Sequence, residues 1–443
     1  MRTLGWIALF LLLPVFALAQ SATGPVTVGG GFKLEKVAVQ RFLARSPEAQ
    51  TLASELGAAL GGGLEFSMLY ALTPEGAFLD PVTSPALAAA AAPKCANWKQ
   101  IGADYLVQGE ADVTPEALRV TYRVWDVVKC QAKVTSKQRT SRPENARRLG
   151  KSIADEIVEA LTGVRGVADT EMAFVSSKVG SKEVFVMDAN GDGQRAATRW
   201  GTITTFPSWD PDSTGLVLTT YRYRSRPWIF ALRRGGQPSG RLFQSLPDST
   251  RLYRAVYDPT GTRLAIVGSV DGVSEIFTAS NAGGGLTRLT KDRYIDVGPS
   301  WSPDGRQIAF VSDRTGAPQI YVMNADGTGV KRLTFDGAYN TSPSWSPDGE
   351  WIAFETRVNS QFDIWKIRPS GGPSIPMVSH PRSDEHPSWS PDGRLLAFSS
   401  TRYGRADIYV VSNLGEGAKL PPARRITNRG DNTHPAWGPR RGR

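Results

Sequence analysis

Histidine and cysteine are nearly missing from this chain, which has three of one and two of the other in 443 residues. So few imidazoles leave almost no choice of general base, and no Cys/His set with zinc-ligand spacing. The nucleophile elbow G-x-S-x-G, the H-E-x-x-H signature and the P-loop are all absent. Apolar runs long enough to span a bilayer are absent after residue 20, so contact with a membrane would be peripheral at most. Nucleic-acid signatures are absent as well. The net charge of +10 comes from 52 basic and 42 acidic residues, but the basic residues are dispersed and form no recognition motif. No cofactor, metal or nucleic acid is expected. The densest basic cluster, Arg440-Arg441-Gly442-Arg443, reads as a disordered terminal tail.

What is present is a repeat. PSWSPDGRQIAF starts at Pro299, PSWSPDGEWIAF at Pro343 and PSWSPDGRLLAF at Pro387. Degraded copies start at Pro207 and Ala255, and PAWGP starts at Pro435. The aromatics Trp209, Tyr257, Trp301, Trp345, Trp389 and Trp437 follow one another at 48, 44, 44, 44 and 48 residues. A period of about 40–50 residues with strand-like content is the mark of a β-propeller. PSW reads as a buried inner strand, SPDG as a tight turn, IAFVS and IYVMN as the second and third strands, and VKRLT as the outer strand. The second-strand pattern at Ala173 has no PSW before it, and the PAW at Pro435 has no second strand after it. The two ends are expected to share a blade, giving six blades and a closed ring.

Residues 1–19 carry Arg2, an apolar core from Trp6 to Phe16, and Ala17-Leu18-Ala19. This reads as a secretory signal cleaved after Ala19, with an uncleaved anchor as the alternative. No cysteine follows the apolar run, which argues against a lipid anchor. Residues 20–165 read as an α/β domain with a mixed sheet, and 166–443 as the propeller. In the first domain, Pro47 to Leu60 reads as a helix ended by Gly61-Gly62-Gly63, and Asn145 to Leu161 as an amphipathic helix. Cys95 and Cys130 both lie there. In an oxidising compartment a disulfide is expected, with two buried thiols as the alternative.

One metal-like motif stands out, Asp188-Ala189-Asn190-Gly191-Asp192-Gly193. Its twelfth position is Arg199 rather than a bidentate glutamate, so it reads as a hairpin turn, with a calcium loop as the remote alternative.

Antiparallel strands place the SPDG and NADG turns on one face of the ring. The segments entering each PSW strand and the second-to-third-strand loops lie on the other. Three positions before each aromatic stand Phe206, Arg254, Gly298, Ser342, His386 and His434, at the expected mouth of the central channel. The loops around them add Arg222, Arg224, Arg226, Arg314, Arg357, Arg402 and Arg405. The candidate partner-binding residues are therefore Arg254, Ser342, His386, His434, Arg314, Arg357 and Arg402, because varied loops on a rigid scaffold are where binding usually resides. Solvated loop charge is the alternative for individual arginines.

The signal, the α/β domain, the linker LTGVRGVADTEMAFVS (Leu161 to Ser176) and a six-bladed PSWSPDG propeller ending in HPAWGP resemble the TolB family. Its members are periplasmic components of the Tol–Pal system of Gram-negative envelopes. The resemblance covers essentially the whole mature chain. It implies a non-enzymatic periplasmic protein whose propeller binds the peptidoglycan-associated lipoprotein Pal. It also implies that the N-terminal segment engages the inner-membrane protein TolA, and that the system maintains outer-envelope integrity during division. A generic exported scaffold with another envelope partner is the alternative. A propeller hydrolase is a remote one, since it needs a further domain and six residues follow Trp437.

Overall fold

In the computed structural model the described residues are 34–44, 46–80, 92–223, 226–244, 246, 250–270, 272–414 and 422–441. The signal segment, the alanine run as far as Ala91 and Arg224 lie outside them. The N-terminal module is built on the strands β1 (Glu35–Val39), β2 (Leu43–Ala44), β3 (Tyr70–Leu72), β4 (Tyr105–Val113), β5 (Leu118–Asp126) and β6 (Gln131–Ser141). They form one mixed sheet in the order β3-β1-β4-β5-β6, with β2 also paired to β4. β1 runs parallel to β3 and β4, whereas β4, β5 and β6 are antiparallel.

Two helices, α1 (Pro47–Phe66) and α3 (Ala146–Thr162), pack together against this sheet, and a short α2 (Cys95–Gln100) lies apart from them. Ser46 caps α1, its Oγ accepting from Ala49 N at 3.2 Å, as an N-cap serine should. The glycine triplet does not end α1, contrary to the sequence reading; the helix runs six residues further, to Phe66. Gly63, with Gly150 of α3, serves helix contact instead. A Cβ on Gly63 would lie 2.7 Å from Ala154 Cβ, and one on Gly150 of α3 would lie 2.3 Å from Leu56 O. Leu56, Leu60 and Leu64 of α1 therefore share a buried core with Ile153 and Ile157 of α3 and with Val37 and Val120 of the sheet. A disulfide joins Cys95 to Cys130, at the start of α2 and just before β6.

Six four-stranded antiparallel blades follow. Their inner strands are Thr204–Trp209, Arg251–Tyr257, Asp296–Trp301, Asn340–Trp345, Asp384–Trp389 and Asn432–Arg440, for blades 1 to 6. Blade 6 is completed by β7 (Thr170–Ser176), β8 (Glu183–Asp188) and β9 (Arg195–Ala196), so the C-terminal strand closes the ring beside the first propeller strand.

The PSW motif has a hydrogen-bonding reason. Its serine accepts from the backbone N–H of the next blade's tryptophan: Trp345 N donates to Ser300 Oγ at 2.9 Å and Trp437 N to Ser388 Oγ at 2.9 Å. Its indole donates to the previous blade, from Trp209 to Ala436 O at 3.0 Å and from Trp389 to Ser344 O at 2.9 Å. These bonds pair polar groups buried between blades, although the Trp345 indole N–H finds no such partner. Among the described residues no helix is long and apolar enough to cross a membrane.

The module docks on the turn face, over blades 5 and 6. Lys151 Nζ of α3 reaches Asp188 Oδ2 at 2.8 Å and Asn190 Oδ1 at 3.1 Å, inside the turn between β8 and β9. Asp192 Oδ2 stands 3.8 Å away. The calcium-like turn is thus filled by an ammonium group from the other domain. Arg394 of blade 5 donates to Thr162 Oγ1 at 2.8 Å. Phe66 packs against Trp437 with ring centroids 6.1 Å apart.

Arg440 and Arg441 are not a loose tail, as the sequence reading had them; Gly442 and Arg443 lie outside the described residues. Arg440 Nη2 donates to Arg165 O at 2.7 Å, and Arg441 pairs with Glu171 at 2.6 Å, Asp188 at 3.2 Å and Asp169 at 3.4 Å.

Candidate functional site

Each inner strand breaks its pairing register two or three residues before the aromatic. At that point the backbone turns left-handed: φ is +50° at Phe206, +25° at Arg254, +64° at Gly298, +51° at Ser342, +59° at His386 and +50° at His434. Only one of these six is glycine. Five side chains are held in a conformation that L-residues avoid, repeated once per blade, and such strain persists only where the surrounding structure enforces it. Each bulge re-aims one side chain toward the propeller axis. The ring separates a mouth cavity of about 620 Å³ from a deeper one of about 70 Å³, and Phe206, Arg254, Ser342, His386 and His434 line both.

Second-strand residues pin this ring. Arg254 N donates to Thr219 Oγ1 at 2.9 Å, and His386 N donates to Glu355 Oε1 at 2.6 Å. Glu355 Oε2 accepts from Thr341 Oγ1 at 2.9 Å. Sequence reasoning missed Glu355. The signal was a charge in the run IAFET, at the position held by valine in IAFVS and serine in LAFSS.

The side chains of the ring touch. The His386 and His434 rings are 3.7 Å apart, His434 meets Phe206 edge-on at 4.8 Å, and the Arg254 guanidinium lies 5.7 Å from the Phe206 ring. His386 Nδ1 is 3.0 Å from Ser399 Oγ, whose hydroxyl donates to Glu385 O at 3.0 Å. The imidazole must therefore carry its proton on Nδ1 and donate it to the serine.

Enclosure in the throat lowers the pKa of His386, opposed by Glu355. It puts His434 well below the usual histidine range, with the neighbouring His386 and Arg254 adding to the effect. Both shifts favour the neutral imidazole. Arg254 keeps some exposure to the channel water yet is surrounded by protein, and burial lowers its pKa against the pull of Glu355. It remains charged at any working pH.

Four of the seven expected residues, Arg254, Ser342, His386 and His434, thus meet around one throat. Two do not belong to it. Arg314 pairs with Asp292 at 3.1 Å and Asp296 at 3.2 Å, and lies 5.0 Å over the Tyr321 ring. Arg402 pairs with Asp384 at 2.9 Å and lies 4.5 Å over Tyr409. Both tie strands within their own blades. Arg357 stands exposed at the end of the second strand of blade 4, its backbone N–H donating to Tyr339 O at 2.9 Å.

The mouth face has a feature that the arginine count concealed. Ile203, Tyr223, Ile295, Phe335, Tyr339 and Tyr403 are exposed large side chains on its loops, Phe335 and Tyr403 at 72% and 69%. An apolar patch gathered on one face marks a contact surface more often than scattered single residues do.

Fold and site together define a two-domain propeller protein, with an α/β module docked on the turn face and a plugged bowl open on the other. Known proteins share that build. The family described as "TolB beta propeller domain" matches residues 158–441, and that described as "TolB amino-terminal domain" matches 26–133. The chain belongs to the TolB family. It is 35% identical over 287 residues to the Tol-Pal system protein TolB of Anaeromyxobacter dehalogenans (strain 2CP-C), covering 64% of each chain. It is 33% identical over 294 residues to that of Desulfosudis oleivorans, covering 66% of this chain and 65% of that one. The match spans just under two thirds of these relatives' own length. The crystal structure of TolB from Acinetobacter baumannii superposes with a TM-score of 0.77 at 22% identity, over 93% of this chain and 98% of that one.

Proposed function

We propose that the protein is a non-enzymatic, periplasmic, protein-binding component of a Tol–Pal system. In this reading it is exported and cleaved after Ala19. Its mouth face receives a peptidoglycan-associated lipoprotein, its N-terminal segment engages a TolA-like inner-membrane protein, and the assembly supports outer-envelope integrity and division.

One observation carries the choice of face. The turn face is covered over blades 5 and 6 by the protein's own module, whereas the opposite face offers a bowl of about 620 Å³ inside a collar of exposed large side chains. A binding role is also favoured over a catalytic one. The two throat histidines are half-buried, and their Nδ1 atoms bond to Ser399 and Thr433. Ser399 is itself fully buried, which suits it to orienting a ring rather than attacking a substrate.

The test has two stages. Processed protein is used to capture partners from an envelope extract, with the captured proteins identified by mass. Titration calorimetry with the recovered partner then compares Arg254→Ala and His434→Ala with Asp304→Ala, an exposed turn-face control. The mouth changes should each weaken binding by about tenfold or more, as central interface positions do, and the control should not. A binding defect confined to Asp304→Ala would put the partner on the wrong face. Capture of an unrelated envelope protein would favour a scaffold serving another system.

A further inference from the structure

The throat holds a guanidinium whose N–H groups are not taken up. Among the described residues, no hydrogen bond or ion pair ends on the Arg254 guanidinium. The residue's contacts are the backbone bond to Thr219 and the Phe206 ring. Other arginines of the fold close on carboxylates: Arg263 on Asp258 at 3.1 Å, Arg314 on Asp296 and Arg402 on Asp384. Enclosing a guanidinium without hydrogen-bonding partners is costly. Glu355 attracts it only through space, because its two oxygens accept from His386 N and Thr341 Oγ1 and not from the guanidinium. Neither Glu355 nor Glu385 lines the bowl. The wall carries one acid, Asp313, and its Oδ1 accepts from Ile295 N at 2.8 Å.

We propose that the throat is a receptor for a single carboxylate, carried on an extended segment of the partner and taken by the Arg254 guanidinium beside Ser342 and His434. The proposal rests on the reading of the bowl as the receiving face, and it names the group that anchors there. One guanidinium matches one carboxylate in charge and in fork geometry, whereas a dianion would leave a charge uncompensated. A cation is repelled by Arg254. The bowl is far larger than a carboxylate, and its wall includes Tyr221, Tyr253 and Tyr339. The anion should therefore arrive on a chain whose neighbours pack on those rings. The carboxylate belongs either to an aspartate or glutamate side chain or to a chain terminus.

The assay needs no natural partner, so it fails or succeeds independently of the capture experiment. The probe is acetate, titrated into full-length processed protein while the Cε1–H resonances of His386 and His434 are followed by NMR. A saturable shift of both is expected. Arg254→Gln should weaken acetate by at least tenfold, and Arg254→Lys, which keeps the charge, should weaken it less. Circular dichroism melts of both variants check that they fold. Two capped heptapeptides, one with a central aspartate and one with a free C-terminal carboxylate, then distinguish the sources. Tighter binding of either, above acetate and dependent on Arg254, supports the proposal and assigns the source. Acetate that binds Arg254→Gln as well as wild type would overturn it, as would linear, unsaturable shifts in the wild-type protein.

Discussion

Replacing Lys151 by methionine should loosen the N-terminal module from the propeller, and the structure sets the size of the effect. The Lys151 side chain is 7% exposed and its partner Asp188 29%. Removing one member of a buried pair usually costs about 3–5 kcal/mol, because the other charge is left uncompensated. Here Asp188 keeps Arg441 at 3.2 Å. Burial alone would raise the pKa of Asp188, yet Lys151 and Arg441 hold it below the usual range. The loss should therefore be smaller, about 2–3 kcal/mol by that comparison. Methionine keeps the stem and the helix propensity, so packing and α3 itself are spared.

The assay is a double-mutant cycle with Asp188→Asn, read by calorimetric unfolding of the processed chain and by protease nicking of the segment 163–169. The single changes should each destabilise and expose that segment. Their combination should cost less than their sum, by about 1 kcal/mol or more. Strict additivity, or a Lys151→Met variant as stable as wild type, would show that the ammonium does not hold the turn and that apolar contacts such as Phe66 on Trp437 carry the docking alone.

Three further outcomes are expected. Deleting residues 434–443 strips blade 6 of most of its inner strand, including the Trp437 Nε1 bond to Thr170 Oγ1 at 2.9 Å, and should lower the melting temperature by on the order of 10 °C or more; an unchanged melt would place closure elsewhere. Changing Cys95 and Cys130 together to serine opens a loop of sequence separation 35 and should cost roughly 3–4 kcal/mol on the chain-entropy account, measured by urea unfolding; a loss under 1 kcal/mol would contradict it. Burial raises the carboxyl of Asp155 to about 7; because the folded form holds its proton more tightly than the unfolded chain, stability should fall as pH rises from about 4 to 7, and Asp155→Asn should flatten that slope in melts taken across the range.

The propeller was readable because each blade solves the same problem with the same atoms. Serine and tryptophan of PSW are inter-blade bonding groups, so they recur with the blade, and the six throat positions follow by counting back three. Where one residue type can serve two purposes, reading was harder. Gly61 to Gly63 look like a stop signal, and only the position of Ala154 on a distant helix shows Gly63 to be a contact. Arg440 and Arg441 look like a solvated tail until Asp169, Glu171 and Asp188 are placed beside them. Arg314 and Arg402 look like rim charges, although each stands 18 residues after the aspartate it pairs with. That repeated Asp-to-Arg interval was a usable sign of a structural tie. Of the exposed side chains around the mouth, Ile203, Ile295 and Tyr339 each stand six residues before their blade's aromatic, and Tyr223 and Tyr403 fourteen after it; that spacing was legible, but only the closed ring puts them on one face.

The two ends of the propeller are built on opposite rules, and this bears on how a partner could be recognised. On the turn face the charges are satisfied: Lys151 with Asp188 and Asn190, Arg441 with three acids, and Glu171 with Arg195, Arg234 and Arg441. That face has little left to offer a newcomer, because an added group would have to displace a pairing already made. At the mouth, the strained backbone of five non-glycine residues holds side chains toward an open bowl where a guanidinium makes no hydrogen bond among the described residues. A ligand there need not displace a pairing already made, and the cost of holding the ring open has been met during folding. Preorganisation of this kind leaves more of the contact energy available to affinity.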